Sequence, residues 1–240
     1  MRYLMTVSYN GSKYYGFQRL KNNKSIQKEL EDALSKINKS KVEIKGAGRT
    51  DRGVHAYGQK VHFDLDIKIT PERLVNAVNS LLSNYVRVID CKYVNDDFHA
   101  RFNVVEKTYK YVINMGMFNP IEEDYVYNYG YKLDIRSMKK ASKYLIGKHS
   151  FKVFVSGERD SYNSEIFNIK FENRDNYLTI IFIGTSFYRY MVRNMVGALM
   201  LVGRGKISIN EFKSMVDSDS NKYTYMTVPS NGLYLMDIKY

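Results

Sequence analysis

Hydrophobic and polar positions in the first part of the chain follow a strand pattern and then a helix pattern. Residues 3–8 form a short apolar run that ends at an Asn-Gly turn, which predicts a strand. The next apolar positions have helical spacing, with Ser25 as the N-cap. They are Ile26, Leu30, Ala33, Leu34 and Ile37. Residues 42–44 are predicted to form a strand that runs into a glycine-rich segment.

Strict alternation makes residues 60–69 the clearest strand pattern in the sequence. The opposite face, which includes His62, is predicted to face solvent. A helix follows with Thr70 as N-cap and Pro71 at its first position, and strands are predicted at 86–94 and 104–115. The first half therefore has a β-α-β-β-α-β-β order, close to a ferredoxin-like split βαβ arrangement. The face predicted to be buried carries Val61, Phe63, Leu65, Ile67 and Ile69.

The second half repeats the α+β theme with weaker signals. A helix is predicted from an Asp134 N-cap to a cap at Gly147. A hairpin around residues 173–176 follows, and residues 187–205 form the longest helical pattern. A short helix at 208–218 and a closing strand at 232–240 complete the chain. We therefore predict two α+β halves, residues 1–113 and residues 114–240.

Composition changes the picture through charge. The chain has 240 residues, of which 37 are basic and 25 acidic, so its formal net charge is +12. Such an excess favours polyanionic partners such as nucleic acid, although the lysine-rich composition of an AT-rich genome would also produce it. No apolar run is long enough for a membrane span, the chain turns polar at Ser8, and Cys91 is the single cysteine. We expect a cytoplasmic protein without an intramolecular disulfide.

Residues 46–64, GAGRTDRGVHAYGQKVHFD, concentrate four glycines, two arginines, two histidines and two aspartates. Arg49 and Asp51 are two apart, so in an extended segment they point to the same side. A guanidinium there keeps a carboxylate ionised and ready to act as nucleophile or base, whereas the alternative is a solvated surface pair. The segment is neither a P-loop nor a dinucleotide fingerprint. His55 and His62 lack the spacing of a helical metal-ligand pair, so no metal site is predicted.

Two further clusters allow both structural and functional interpretations. Tyr109 and Tyr111 share one face of a predicted strand, where aromatic side chains usually belong to a core or an edge. Arg189 and Arg193 are four apart in a predicted helix and by default form a solvated basic face. The residues alone do not decide between these roles and a binding site.

At five places, in the same order, the sequence resembles the TruA-type tRNA pseudouridine synthases. The matching blocks are YNGSKYYGFQRL, GAGRTDRGVHAYGQKVHFD, DDFHARFNVVEKTYKYVI, FYRYMVRNMVGALMLVGRGK and GLYLMDIKY. The resemblance covers essentially the whole chain. It implies an α+β pseudouridine synthase fold, in which two ferredoxin-like or RRM-like halves share a mostly antiparallel mixed sheet with a central catalytic cleft.

The resemblance also implies the site residues. The aspartate of the Gly-Arg-Thr-Asp run corresponds to Asp51, the expected nucleophile, and its arginine to Arg49, expected to help extrude the target base. Tyr109 is expected to stack on the uracil, and Arg193 to pair with the catalytic carboxylate. The remaining expected substrate contacts are Leu233, Arg189, Arg52 and His55.

The implied reaction is isomerisation of uridine to pseudouridine in the anticodon stem-loop of tRNA, at position 38, 39 or 40. The resemblance implies no cofactor and no metal, and it implies a homodimer with tRNA as partner. Phe17 stands where the family usually has tryptophan, and Phe167 where it usually has arginine. These departures keep open a divergent or non-catalytic RNA-binding paralogue. Composition alone also allows a metal-free hydrolase that pairs Asp51 with Asp64 or Asp66.

Overall fold

The computed structural model describes residues 1–218 and 224–240, and the chain divides into two compact units. The first unit is Met1–Val105 with Tyr234–Tyr240, and the second is Glu106–Leu233. The helices and strands in chain order are β1 (Arg2–Tyr9), α1 (Ile26–Asn38), β2 (Lys45–Gly46), β3 (His55–Asp64), α2 (Pro71–Asn79), β4 (Val86–Tyr93), β5 (Glu106–Asn114), β6 (Tyr127–Asn128), α3 (Ile135–Ser142), β7 (Gly147–Ser150), β8 (Asn163–Arg174), β9 (Tyr177–Gly184), α4 (Met191–Gly203), α5 (Ile209–Val216) and β10 (Leu233–Lys239).

The division of the chain differs from the predicted boundary at residue 113. β5 lies entirely in the second unit, while β10 belongs to the first apart from its first residue. β10 pairs in parallel with β3, where Tyr234 lies opposite His55. The backbone N–H of Val105 also donates to the Lys239 carbonyl at 2.9 Å. This pairing joins residues far apart in the chain, so local patterns could not reveal it.

In the first unit, the strands follow the order β4-β1-β3-β10, and β2 lies against β3. β1 pairs antiparallel with both β3 and β4. α1 begins at the predicted cap, where the Ser25 hydroxyl accepts from the Lys28 N–H at 3.4 Å, and α2 starts with Pro71 as expected. Four of the five predicted apolar positions of α1 are buried, and the fifth, Ile37, is only partly buried. α1 also buries Glu31 and Asn38, and α2 buries Leu74 and Val78.

Two details of the first unit correct the sequence interpretation. The predicted strand at residues 42–44 does not form. Its backbone donors go to side chains of α1, because the Val42 N–H bonds the Ser35 hydroxyl and the Ile44 N–H bonds the Glu31 carboxylate. β3 begins and ends earlier than the predicted strand, and it includes the second half of the glycine-rich segment.

In the second unit, β5-β9-β8-β7 form an antiparallel series, and the short β6 pairs in parallel with β5. β8 and β9 form the predicted hairpin. α3 begins at the predicted Asp134 cap, whose carboxylate accepts from the Ser137 N–H at 3.0 Å. α5 begins with a capping box made by Ser208 and Glu211. Both units are therefore α+β with mostly antiparallel strands, which confirms the predicted fold class.

α3 and α4 are shorter than predicted. α3 ends at Ser142, and Gly147, predicted as its cap, opens β7 with a φ of 105°. α4 begins only at Met191, because Tyr190 before it adopts the left-handed backbone conformation with a φ of 63°. Arg189 therefore precedes the helix instead of lying on it. Within residues 1–218 and 224–240, no helix combines the length and the apolar character needed to cross a membrane.

Candidate active site

The loop that carries Asp51 is anchored through Thr50. The Thr50 side chain is buried and shares a hydrogen bond of 2.8 Å with the Tyr9 hydroxyl. The Thr50 carbonyl accepts from the Phe17 N–H at 3.1 Å. On the other side, the amide of Gln59, which is fully buried, donates to the Gly48 carbonyl at 3.0 Å. These bonds fix the backbone on which the predicted nucleophile lies.

Asp51 begins a tight turn that leads into β3. The Val54 N–H donates to the Asp51 carbonyl at 3.2 Å, and Gly53 has a φ of 81°, as a type II turn requires at its third position. Gly16 packs against the same loop, since a Cβ there would lie 2.9 Å from the Thr50 carbonyl oxygen. The Asp51 side chain is partly exposed. A rigid loop therefore presents a carboxylate at the surface of the first unit.

The arginines of this loop do not behave alike. Arg49 is exposed and has no ion pair in the described part of the chain, so the expected side-by-side pairing with Asp51 is not present. Arg52 is also exposed, and its guanidinium lies 4.3 Å from the centre of the Tyr15 ring. Arg49 is thus a cation directed into solvent, whereas Arg52 forms a cation–π contact on the surface.

Both histidines of the glycine-rich segment are buried. His55, predicted to contact substrate, is 3 % exposed. Its Nδ1 accepts from the Gly11 N–H at 3.2 Å, and its ring stacks on Tyr234 at 4.7 Å. In the structure His55 thus supports the loop, and its contact with substrate stays a prediction. His62, predicted to face solvent, accepts from the Ala100 N–H at 3.0 Å, and burial lowers the pKa of His62 to about 4.

The acids considered for a paired-carboxylate hydrolase have structural partners. Asp64 accepts two hydrogen bonds from Arg2, at 3.0 and 2.8 Å, and these bonds hold the pKa of Asp64 below its usual value. Asp66 accepts from Asn38 at 3.1 Å and from Ser40 at 3.0 Å. The described residues contain no group of three or more His, Cys, Asp or Glu side chains that could hold a metal ion. Nothing here favours the hydrolase interpretation.

The second unit carries Tyr109 and Leu233. Tyr109 lies on β5, is 7 % exposed and makes an edge-to-face contact with Phe187 at 5.1 Å between ring centres. Tyr111 is fully buried, and its hydroxyl donates to the Pro229 carbonyl at 2.7 Å. Leu233, also buried, starts β10. Of the two tyrosines, Tyr111 is therefore a packing residue, and Tyr109 is the one that retains some exposure.

Arg193 lies in the first turn of α4, and its guanidinium has contacts on two sides. Its Nε donates to the Val228 carbonyl at 2.7 Å, and its centre lies 4.9 Å from the centre of the Tyr190 ring. Arg189, which is exposed, lies over the same ring at 4.9 Å. The two arginines that the resemblance selects in this unit therefore share one aromatic neighbour.

Tyr190 is a candidate that the sequence interpretation missed. A bulky residue in the left-handed conformation is a true outlier, which costs about 1–3 kcal/mol and tends to occur at functional sites. The Tyr190 carbonyl accepts the first helical bond from the Asn194 N–H at 2.9 Å. In the sequence, the one signal that points to Tyr190 is its place between the candidate residues Arg189 and Arg193. The hydrophobic spacing predicts a helix that continues through Tyr190.

Comparison with known proteins identifies the class. A family model described as tRNA pseudouridine synthase matches residues 5–103 and 141–240, which is most of the chain and includes Asp51 and Arg193. The chain is accordingly a pseudouridine synthase by class.

Curated relatives extend this match to the full length. A tRNA pseudouridine synthase A of Listeria monocytogenes serotype 4a (strain HCC23) is 42% identical over 245 residues, covering 100% of this chain and 99% of that protein. Proteins of the same name from Lactobacillus helveticus (strain DPC 4571) and Streptococcus thermophilus (strain CNRZ 1066) are 36% and 35% identical, covering 100% of this chain and 94% and 99% of their own lengths. The chain therefore belongs to the tRNA pseudouridine synthase family.

Proposed function

We propose that this protein isomerises uridine to pseudouridine in the anticodon stem-loop of tRNA, at position 38, 39 or 40, with Asp51 as the nucleophile. The observation that carries the proposal is the Gly-Arg-Thr-Asp loop. It has the family's residues, its Thr50 is buried against Tyr9, and its Asp51 is partly exposed on a fixed turn. A nucleophile held in this way has little conformational freedom to lose when it reacts.

The chemistry follows from the bonds that change. The glycosidic bond from N1 to the ribose C1′ breaks, a bond from C5 to C1′ forms, the proton on C5 leaves to solvent, and N1 takes up a proton from solvent. Asp51 acts either by attack on C1′ or through removal of the C2′ proton, which gives a glycal. Substrate and product are isomers with no net redox change, so the reaction consumes no cofactor.

The other predicted residues have supporting roles in the proposal. The target base must first leave its stack, which costs a few kcal/mol, and the exposed Arg49 takes the vacated space. Tyr109 stacks on the extruded uracil. Arg193 keeps Asp51 ionised and oriented, since a neighbouring cation favours the carboxylate form.

The proposed partner is tRNA, and the proposed assembly is a homodimer acting in the cytoplasm. The net charge of +12 supports a polyanionic partner, because lysine and arginine side chains that neutralise phosphates release counterions. Exposed cation–aromatic pairs, such as Arg52 with Tyr15 and Arg159 with Tyr188, provide surfaces of the kind that contact RNA.

One observation favours a divergent substrate as the second candidate. Phe167 on β8 is 43% exposed, at a position where the family usually has arginine. Loss of a cation at the surface changes an RNA contact without touching the loop of Asp51. In contrast, Phe17, which stands where the family usually has tryptophan, is 3% exposed and packs near Tyr9. The replacement of tryptophan by phenylalanine there affects core packing and leaves the RNA-facing surface unchanged.

The decisive experiment uses unmodified tRNA transcripts labelled with tritium at C5 of uridine and no added cofactor. Turnover releases tritium, because C5 loses its hydrogen. Wild-type protein should release label, and Asp51→Asn should release none while still binding tRNA, since the amide is nearly isosteric but not nucleophilic. Asp64→Asn is the matched control and should stay active. Turnover of Asp51→Asn within about tenfold of wild type would exclude Asp51 as nucleophile.

The substrate range is tested separately. Pseudouridines are mapped in RNA from a strain that lacks the protein and from its parent. Loss at positions 38 to 40 of tRNA supports the proposal, and loss at other uridines supports the divergent substrate.

A further inference from the structure

Residues 226–233, called here the 226–233 segment, lead into β10 and include its first residue, and they are bonded along their length to the rest of the second unit. Two of its backbone carbonyls receive side-chain donors, and one takes part in a backbone bond to β5. The bonds are Arg193 Nε to the Val228 carbonyl at 2.7 Å, the Tyr111 hydroxyl to the Pro229 carbonyl at 2.7 Å, and the Val112 N–H to the Gly232 carbonyl at 2.9 Å. The Thr227 hydroxyl adds a bond to Asn194 Oδ1 at 2.6 Å.

Two glycines show how closely the 226–233 segment packs. A Cβ on Gly232 would lie 2.6 Å from the Val112 carbonyl oxygen, and a Cβ on Gly197 of α4 would lie 1.8 Å from the Met226 carbonyl oxygen. Both contacts are with backbone, which cannot move aside as the end of a side chain can. The position of the Val228 carbonyl is therefore set by the position of the whole segment.

Asn231 attaches this segment to a different part of the unit. Its Nδ2 donates to the Glu123 carbonyl at 2.6 Å and to the Val126 carbonyl at 2.9 Å. Its Oδ1 is buried and has no hydrogen-bond partner among the described residues. A buried acceptor without a partner is unfavourable. The side chain accepts this cost because its orientation lets Nδ2 donate both hydrogen bonds. An aspartate at this position would instead place a carboxylate oxygen against two carbonyl oxygens.

We propose that Asn231 is a positioning residue for the reaction: by holding the 226–233 segment against the loop of residues 123–126, it fixes the carbonyl that orients the guanidinium of Arg193. A guanidinium is planar, so a bond at Nε together with the Tyr190 ring sets the direction of its two terminal nitrogens. Those nitrogens form the bidentate fork with a carboxylate. The inference rests on the role proposed for Arg193.

The kinetic test uses Asn231→Ala and Asn231→Asp, with Ser208→Ala as the matched control. Ser208→Ala removes a cap from α5 in the same unit and costs about 1 kcal/mol of stability without touching the segment. Asn231→Ala should lower kcat about tenfold with little change in KM for tRNA. The acid limb of its profile of kcat against pH should move to higher pH, because an aspartate that loses a neighbouring cation binds a proton more readily. Asn231→Asp should do the same or worse, and Ser208→Ala should keep the wild-type profile.

A second readout needs no turnover and separates this inference from the proposed function. In a nitrogen-15 NMR spectrum, the Nε–H signal of Arg193 is identified by its loss in Arg193→Lys. It should exchange slowly with water in wild type and Ser208→Ala, and at least about tenfold faster in Asn231→Ala. If the wild-type protein forms no pseudouridine, the proposed function fails while this test still decides the role of Asn231. Unchanged exchange in Asn231→Ala, or an unchanged pH profile, would overturn the inference.

Discussion

Thr50 shows how a single residue can direct its two neighbours. Its side chain points inward to Tyr9, so the flanking Arg49 and Asp51 are the residues of this run that reach the surface. The hydroxyl pair is buried, and burial raises the pKa of Tyr9 to about 12, so Tyr9 stays protonated and can donate or accept at neutral pH. The chemistry proposed for Asp51 thus depends on a residue that takes no part in it.

Arg193→Met should lower turnover at neutral pH, and part of the activity should return as the pH is raised. An aspartate that loses a neighbouring cation binds a proton more readily, which removes the nucleophile. Arg193→Lys should retain more activity, because lysine keeps the charge but cannot form the bidentate fork. The pH dependence of kcat checks this. A methionine variant with the wild-type profile and amplitude would show that Arg193 does not act on Asp51.

Tyr109→Phe should reduce turnover by about 10²-fold or more, because we expect the hydroxyl to move a proton during the reaction. The variant keeps the ring that stacks on the base, so single-turnover rates separate the two roles. Tyr3→Phe is the control, since it loses one structural hydrogen bond, to the Ile69 carbonyl at 2.8 Å. A loss as small as that of the control would limit Tyr109 to stacking.

His62 should make the protein less stable as the pH falls from about 6.5 to 4. The pKa of His62 is lowered to about 4 by burial, so between these values the unfolded chain binds a proton that the folded chain does not. The free energy of unfolding should therefore fall by roughly 2 kcal/mol across this range. His62→Asn, which keeps an acceptor for the Ala100 N–H, should flatten this dependence in urea titrations. Tyr3→Phe is the control and should leave the dependence unchanged, because burial raises the pKa of Tyr3 further above this range.

On the scale of elements, two glycines of α4 offer a matched pair. Alanine favours helices by about 1 kcal/mol over glycine at either position. At Gly197, however, the new Cβ would meet the Met226 carbonyl oxygen at 1.8 Å, whereas at Gly203 it would meet the Met138 sulfur at 2.6 Å. Urea unfolding should show Gly197→Ala destabilised by more than about 2 kcal/mol, and Gly203→Ala within about 1 kcal/mol of wild type. Equal effects would mean that the 226–233 segment can shift.

Elements defined by local signals could be predicted from the sequence. Ser25, Asp134 and Pro71 mark helix starts because a cap or a fixed φ acts within a few residues. Elements that depend on distant neighbours could not. The strand expected at 42–44 is lost to side chains of α1, and His62 is covered by residues near Ala100.

The same distinction holds for the candidate site. Periodicity left Tyr109 and Arg193 undecided, and only the resemblance selected them. Neither periodicity nor the resemblance identifies the residues that support Arg193. The left-handed conformation of Tyr190 and the hydrogen bonds of Asn231 follow from tertiary packing.

For the whole molecule, tRNA affinity should fall steeply with salt concentration. The formal charge is +12, and each phosphate that a basic side chain neutralises releases counterions, so the logarithm of the affinity falls linearly with the logarithm of salt. Filter binding between 50 and 200 mM salt measures the slope, and a loss of about 10³-fold or more is expected. A flat response would mean that the basic excess is compositional and lies away from the RNA.

Two exposed arginines make it possible to distinguish a direct contact with phosphate from the effect of the protein's total charge. Arg189 is exposed beside Tyr190, and we expect it to contact phosphate, so Arg189→Gln should reduce the salt slope by about 1. Arg136→Gln, at an exposed position of α3, changes the net charge equally and should leave the slope unchanged. Long-range attraction acts mainly on the association rate, whereas a neutralised phosphate contributes to the equilibrium slope. Equal reductions in both variants would assign the salt dependence to the molecule's total charge and remove Arg189 from the RNA interface.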